Sequence, residues 1–270
     1  MSTDAAAPLR PDPRRRDGRP LTYGTYLRVD ELLDLQTLSS DPPEHDELLF
    51  VTIHQVYELW FKQILWELDR AVALLGEDER ARAAHTLGRV RSIVKVLVSQ
   101  LDVLETMTPL EFASFRAHLE SGSGFQSAQF REVEFVLGLK DPAALRRAEH
   151  DEARARLQRR LDAPSLWDAL LAHLARTGHP VAEVDGAPGG EDEVEDMLLR
   201  LYREDPSAAG LCESFTDLDE GIQEWRYRHV KMVERTIGAK VGTGGSAGAA
   251  YLRSTLRPAF GPLWTVRSRF

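Results

Sequence analysis

Among the eight histidines of this 270-residue chain, two stand where an imidazole could do more than pack. His54 lies in a run where Phe50, His54, Tyr57 and Phe61 recur at i, i+4, i+7 and i+11, so one helix face would carry three aromatic rings and one imidazole. Such a stripe is commonly packed core. It is also what a flat apolar pocket with one orienting polar group needs. His229 shares a helical face with Ile222, Trp225, Met232, Val233 and Thr236. A neutral imidazole binds metals well, and a lone histidine on an apolar helical face has the pattern of an axial haem ligand; a hydrogen-bonded core histidine gives the same pattern. Arg116 falls one helical turn after Phe112. Its guanidinium fork could clamp a carboxylate in a pocket or pair with an acid at the surface.

The stretch Gly238–Gly248 holds five glycines with Thr243 and Ser246. Gly242 to Ala247 fits the dinucleotide pattern G-x-G-x-x-A, but that fingerprint needs a preceding strand and here a helix precedes it. What remains is a linker, or a mobile loop whose backbone can approach a ligand closely with Thr243 supplying a hydroxyl. His54 and Glu58 are spaced to share a metal. However, no Glu-x-x-His pair supports a di-iron bundle, and there is no H-E-x-x-H of a zinc protease.

These groups need helices to position them. A stripe of Leu49, Ile53, Val56, Trp60, Ile64, Leu68 and Leu75 predicts a long helix from about Glu44 to Leu75. A second is expected from about Glu79 to Met107. Thr108, Pro109 and Glu111 then give a start signal, with a cap, a proline in the first turn and the glutamate of a capping box. Ser121–Ser127 reads as a loop, with helix resuming towards Gly138. A charged, solvated helix is expected over Ala144–Asp162, and further helices over Val194–Glu204, Asp217–Ile237 and Ala249–Leu256, followed by an irregular tail. There is no convincing series of period-two strands, so the fold class is all-α. Residues 1–20, with four prolines, read as a flexible N-terminal arm, and residues 21–270 as a single helical domain.

Composition narrows the function. The net charge of −9 argues against a general nucleic-acid binder. No apolar run reaches the roughly 20 residues of a membrane span. Cys212 is the only cysteine, which leaves no disulfide framework and no cysteine-based metal site. With an N-terminus lacking the apolar core of a secretory signal, the expected location is cytoplasmic.

Five stretches stand out together: Leu21–Leu27 (LTYGTYL), His45–Trp66 (HDELLFVTIHQVYELWFKQILW), Leu104–Phe115 (LETMTPLEFASF), Arg116 with Ser121–Phe130 (SGSGFQSAQF), and Trp225–Thr255 (WRYRHVKMVERTIGAKVGTGGSAGAAYLRST). In this order they resemble the tryptophan 2,3-dioxygenase family. Residues 139–218 match weakly and read as a divergent peripheral helical insert. The resemblance implies an all-α, haem-binding bundle of the tryptophan/indoleamine dioxygenase type. It also implies haem b, ferrous when active, and cleavage of the indole ring of L-tryptophan by O2 to N-formylkynurenine. By the same resemblance His229 in W-R-x-R-H is the axial iron ligand, and His54 in F-x-x-x-H-Q contacts the indole nitrogen. Arg116 holds the substrate carboxylate and Thr243 contacts its amino-acid end. Phe50 and Phe112 wall the indole, and Ser123 and Gly124 lie near the haem. Some members carry tyrosine at the position of Phe112, so any hydroxyl role there is absent. Tyr23, Tyr26 and Leu27 are implied to reach a neighbouring subunit's site in a homotetramer with exchanged arms. The same haem site acting on a substituted tryptophan, a scaffold that has lost haem, and a non-haem metal site at His54 and Glu58 are the competing readings.

Overall fold

The computed structural model describes residues 21–120, 122–184, 187–242 and 248–270. The expected arm of residues 1–20 and the singled-out Thr243 lie outside the described residues.

Two short helices open the described chain, α1 (Tyr23–Leu27) and α2 (Val29–Leu33). Thr22 and Thr25 form a capping box at the first, and Arg28, at φ 55°, breaks one from the other. Neither has a buried residue. The chain then reaches the scaffold, a hairpin of α3 (Glu47–Gly76) and α4 (Arg80–Leu104). Ile64, Leu68, Ala71 and Leu75 of α3 meet Leu87, Val90, Val94 and Leu101 of α4, all at most 1 % exposed. Each large side chain removed from water in this way contributes about 1.5–3 kcal/mol.

Four further helices and two 3-10 turns complete the cavity walls. Helix α5 (Pro109–Phe115) begins with the expected capping box, Thr108 and Glu111 each satisfying the other's backbone N–H. It ends before Arg116, which starts a 3-10 turn instead of continuing the helix of Phe112. A second 3-10 turn (Gly124–Gln126) leads to α6 (Ala128–Leu137), which Ser127 caps and Gly138 ends at φ 104°. The long α10 (Pro206–Ile237) lies along α4, and α11 (Ala249–Ser254) packs on α10. Gly221 lies at the α4–α10 contact, where a Cβ would stand 3.4 Å from Val94 Cγ1, at van der Waals contact.

Three expectations are corrected. Helix α10 starts eleven residues before Asp217, because Asp205 accepts from Ser207 N and Ala208 N with Pro206 in the first turn. The charged stretch from Ala144 is not one solvated helix. It is a 3-10 turn (Pro142–Arg147), a break, and α7 (Asp151–Asp162), whose Arg160 is buried between Asp69 at 2.9 Å and Glu132 at 3.4 Å. The tail is not irregular: α12 (Gly261–Thr265) and a 3-10 turn (Val266–Arg269) bury Phe260, Leu263 and Val266 completely. Asp219 anchors it, accepting from Ala259 N at 3.0 Å, Phe260 N at 3.1 Å and Trp264 Nε1 at 2.9 Å.

The weakly matching stretch 139–218 supplies α7, α8 (Leu166–Arg176), α9 (Glu191–Glu204) and the start of α10. Leu166, Leu170, Leu174, Leu198, Leu201 and Phe215 join the same core as α3 and α4. A pair of two-residue strands, Glu183–Val184 with Ala187–Pro188, is the only β structure among the described residues.

Candidate functional site

A largely apolar cavity opens between α3, α5, the Gly124 turn, α6, α10 and α11. None of the described residues of 139–218 lines it. One wall is aromatic. Phe50, Phe112 and Phe115 interlock with ring centroids 5.4–5.8 Å apart, and the His54 ring lies 4.1 Å from Phe50. His54 Nδ1 is 2.7 Å from the Phe50 carbonyl one turn earlier. A carbonyl only accepts, so Nδ1 carries the proton and donates, and Nε2 is left as an acceptor. Burial lowers the pKa of His54 below the ordinary imidazole value, against smaller raising effects of the Phe50 carbonyl and Glu58. The ring is therefore neutral at pH 7.

A second wall is built by α10. Trp225, His229, Met232, Val233 and Thr236 line the cavity at helical spacing. Burial, with smaller contributions from the nearby His54 and Arg226, pushes His229 down to about 4. His229 is thus a neutral imidazole, and no residue among those described hydrogen-bonds to it. Its ring lies parallel to that of Trp225, 5.4 Å away with the planes 7° apart.

The third wall is charged. Glu134 accepts from Arg226 Nη2 at 2.6 Å and from Arg131 Nη1 at 2.5 Å, and Arg226 Nη1 also donates to the Thr255 carbonyl at 3.0 Å. Two guanidinium groups share one carboxylate, which leaves a net positive edge. Both Nε atoms are buried with no partner. Arg116 has no carboxylate partner among the described residues; its Nη2 donates to the Val241 carbonyl at 2.5 Å.

A family model described as Tryptophan 2,3-dioxygenase matches residues 12–186 and 191–270. A protein of Herpetosiphon aurantiacus named Tryptophan 2,3-dioxygenase is 54 % identical over 254 residues, covering 92 % of this chain and 98 % of that protein. One of Nocardioides, with the same name, is 51 % identical over 261 residues, covering 93 % of this chain and 95 % of its own. A Bacillus thuringiensis protein so named is 41 % identical over 260 residues, with 92 % of each chain covered. The chain belongs to the tryptophan 2,3-dioxygenase family.

In this tryptophan 2,3-dioxygenase family member one cavity collects seven of the residues singled out in the sequence: Phe50, His54, Phe112, Arg116, Ser123, Gly124 and His229. Ser123 spends its hydroxyl capping the turn, accepting from Phe125 N at 3.4 Å. A Cβ at Gly124 would meet nothing within 4 Å. Tyr23, Tyr26 and Leu27 are not brought to their own chain's cavity; they are 79 %, 68 % and 46 % exposed. The residues that sequence reasoning passed over are Arg131, Glu134 and Arg226. A visible signal was the single carboxylate of Glu134 within the apolar run from Val133 to Leu137. The other was the first arginine of the W-R-x-R-H motif.

Proposed function

We propose that this chain opens the indole 2,3-bond of L-tryptophan with O2 to give N-formylkynurenine, the first step of tryptophan degradation, and that it does so with haem b. The observation that carries the reading is the pair of neutral imidazoles, one from α3 and one from α10, lining one cavity, one already hydrogen-bonded and one with no partner among the described residues.

The residues fit the group. A flat macrocycle with acid groups at its edge wants an apolar slot, a neutral nitrogen ligand and cations at one rim. The cavity offers its aromatic and aliphatic lining, His229, and the orphaned Nε donors of Arg131 and Arg226. His229 would hold the iron. Bound haem in the ferrous form supplies the redox chemistry that makes O2 reactive. The protein supplies position, and it keeps water out.

Tryptophan is a zwitterion with a large apolar ring. The rings of Phe50 and Phe112 wall the indole. Arg116, without a carboxylate of its own, receives the substrate carboxylate through its fork. His54 Nε2 accepts from the indole N–H. Both oxygen atoms enter the product as C2–C3 breaks, and the former indole nitrogen keeps its hydrogen as a formamide N–H. No net proton leaves that nitrogen, so His54 orients the ring and is not required as a base. Thr243, by family resemblance, contacts the amino-acid end.

The active unit is a homotetramer in which Tyr23, Tyr26 and Leu27 of one chain close a neighbour's pocket. Their exposure, with that of Leu33 at 69 %, leaves an apolar surface that calls for a partner. Cytoplasmic location completes the reading; no helix among the described residues is long and apolar enough to cross a membrane.

One experiment tests the class of chemistry. The purified chain loaded with haem should show a Soret band that shifts on reduction, and it should convert tryptophan to a product absorbing as an N-formyl arylketone. A chain that binds no haem, or binds it and forms no such product, refutes the proposal.

A further inference from the structure

The two cavity histidines differ in what fixes their rings. An imidazole on a helix retains rotation about Cβ–Cγ, a broad torsion with no sharp staggered wells. Ligating histidines are ordinarily fixed by donating their second N–H to a carbonyl or carboxylate. His54 has such a carbonyl at 2.7 Å. His229 has none among the described residues. What lies against it is the indole of Trp225, one turn earlier, in an offset parallel stack with centroids 5.4 Å apart.

Trp225 is itself held firmly. It is 8 % exposed and enclosed by Phe130 at 5.0 Å, Tyr57 at 6.2 Å and Phe61 at 6.3 Å, the last edge-on at 88°. Its Nε1–H donates to Tyr57 Oη at 3.4 Å, and Tyr57 in turn donates to the Leu97 carbonyl on α4 at 2.6 Å. The orientation of the indole is therefore set by α3, α4 and α6 as well as by its own helix. Burial pushes the Tyr57 phenol up to about 12, which keeps that hydroxyl protonated and donating.

We infer that Trp225 is a positioning residue for His229, and Tyr57 a positioning residue for Trp225. The plane of the iron's axial imidazole is then set by an aromatic stack tied to the α3–α4 hairpin, in place of the usual hydrogen bond. The inference rests on His229 being the axial ligand. The plane matters because the imidazole's π orbital meets one of two perpendicular iron d orbitals according to its angle about the axial bond. A ring free to turn samples both, and the splitting between them shrinks.

The test uses the full, haem-loaded chain with Trp225→Leu, Trp225→Phe and Tyr57→Phe. Readouts are the g-anisotropy of the ferric form at low temperature, the ferric/ferrous reduction potential, haem content and the unfolding temperature. Trp225→Leu should bind haem yet broaden and displace the ferric signal. It should also shift the oxidised-to-reduced ratio at fixed potential by about threefold or more, roughly 28 mV at 59 mV per tenfold for one electron. Trp225→Phe, which restores a ring, should return both readouts towards wild type. Tyr57→Phe should displace them in the same sense by less. Wild-type signal and potential in Trp225→Leu, with only a lower unfolding temperature, would make Trp225 a core filler and overturn the inference. Should Trp225→Leu fail to retain haem, Tyr57→Phe decides alone: a displaced signal supports the stack and a wild-type signal overturns it. An unchanged haem spectrum in His229→Ala would instead sink the ligand assignment beneath it.

Discussion

On α3, His54 sits among Phe50, Phe112 and Phe115 with its Nδ1–H committed to a backbone carbonyl of its own helix. On α10, His229 sits against Trp225 with neither ring nitrogen engaged by a described residue. Both are neutral for the same reason, burial, and both lie on long helices packed on α4. The difference is one of commitment. A ring with one nitrogen already bonded can offer only the other, in a fixed tautomer, which suits orienting a neutral N–H donor. A ring with both nitrogens uncommitted suits a bond that will itself define the site. On the proposed function, two histidines with similar sequence surroundings thus divide into a guide and an anchor.

The most severe break in that comparison is removal of the anchor. His229→Ala should lose normal haem retention, and its activity should fall by more than the roughly 10–100-fold that loss of a mere supporting partner costs. Absorbance at the Soret band per mole of protein checks it; a wild-type ferrous spectrum contradicts it. Next comes Arg116, the guanidinium on the guide's side that has no carboxylate of its own. Truncating one member of a desolvated charge pair costs about 2–5 kcal/mol, so Arg116→Ala should weaken tryptophan binding or turnover at least about tenfold. Tryptamine, which lacks the carboxylate, should be affected far less, and equal losses on both would refute the role. The same variant also tests the exchanged arms. Mixed with a chain lacking residues 1–28 it should regain activity, since an intact pocket can receive an intact arm. Absence of any recovery in demonstrably mixed oligomers speaks against exchange.

A smaller effect belongs to the guide itself. His54→Ser removes one hydrogen bond worth about 0.5–1.5 kcal/mol, so turnover should fall by roughly ten-fold or less with haem content unchanged. Haem-replete protein with no product would point to an obligatory proton transfer instead. The smallest is a pH dependence. A protonated His54 has two N–H donors and cannot accept from the indole. Because burial lowers its pKa, the accepting form should persist as pH falls into the ordinary imidazole range near 6.5. Tryptophan affinity should drop only below that range. In His54→Ser this acid limb should vanish; its survival would assign the titration to another group. The linkage to stability has the same sign. An unfolded chain takes up the proton first, so His54 weakens folding as pH drops from the unfolded value through the lowered one.

Much of this was legible in the residues. The α3 stripe and the Thr108–Glu111 capping box are local patterns whose energetics are decided within one or two turns, and they appear as read. The start of α10 was missed although Asp205–Pro206 is a local signal, because the apolar pattern chosen to define the helix began only near Asp217. The C-terminal α12 was missed for a different reason. Its burial depends on Asp219, a partner forty residues away that no periodicity reveals. The cavity shows the same division. Phe50, His54 and His229 announce themselves by type and spacing. Arg116 could not announce its contact, because its partner is the backbone carbonyl of Val241, and a carbonyl has no residue identity. The shared carboxylate of Glu134 likewise joins helices separated by some ninety residues.

Asp219 has a bearing on how the protein is made. Synthesis is vectorial, and the carboxylate leaves the ribosome forty residues ahead of the first amide that will neutralise it. It is 1 % exposed in the finished fold, and a carboxylate cannot be buried unpaired without a cost of several kcal/mol. Residues 259–264 can close over this face of α10 only by bringing two backbone amides and the Trp264 indole N–H to that carboxylate. Burial of this face of α10 and pairing of its charge are therefore a single event, completed by a segment forty residues later in the chain.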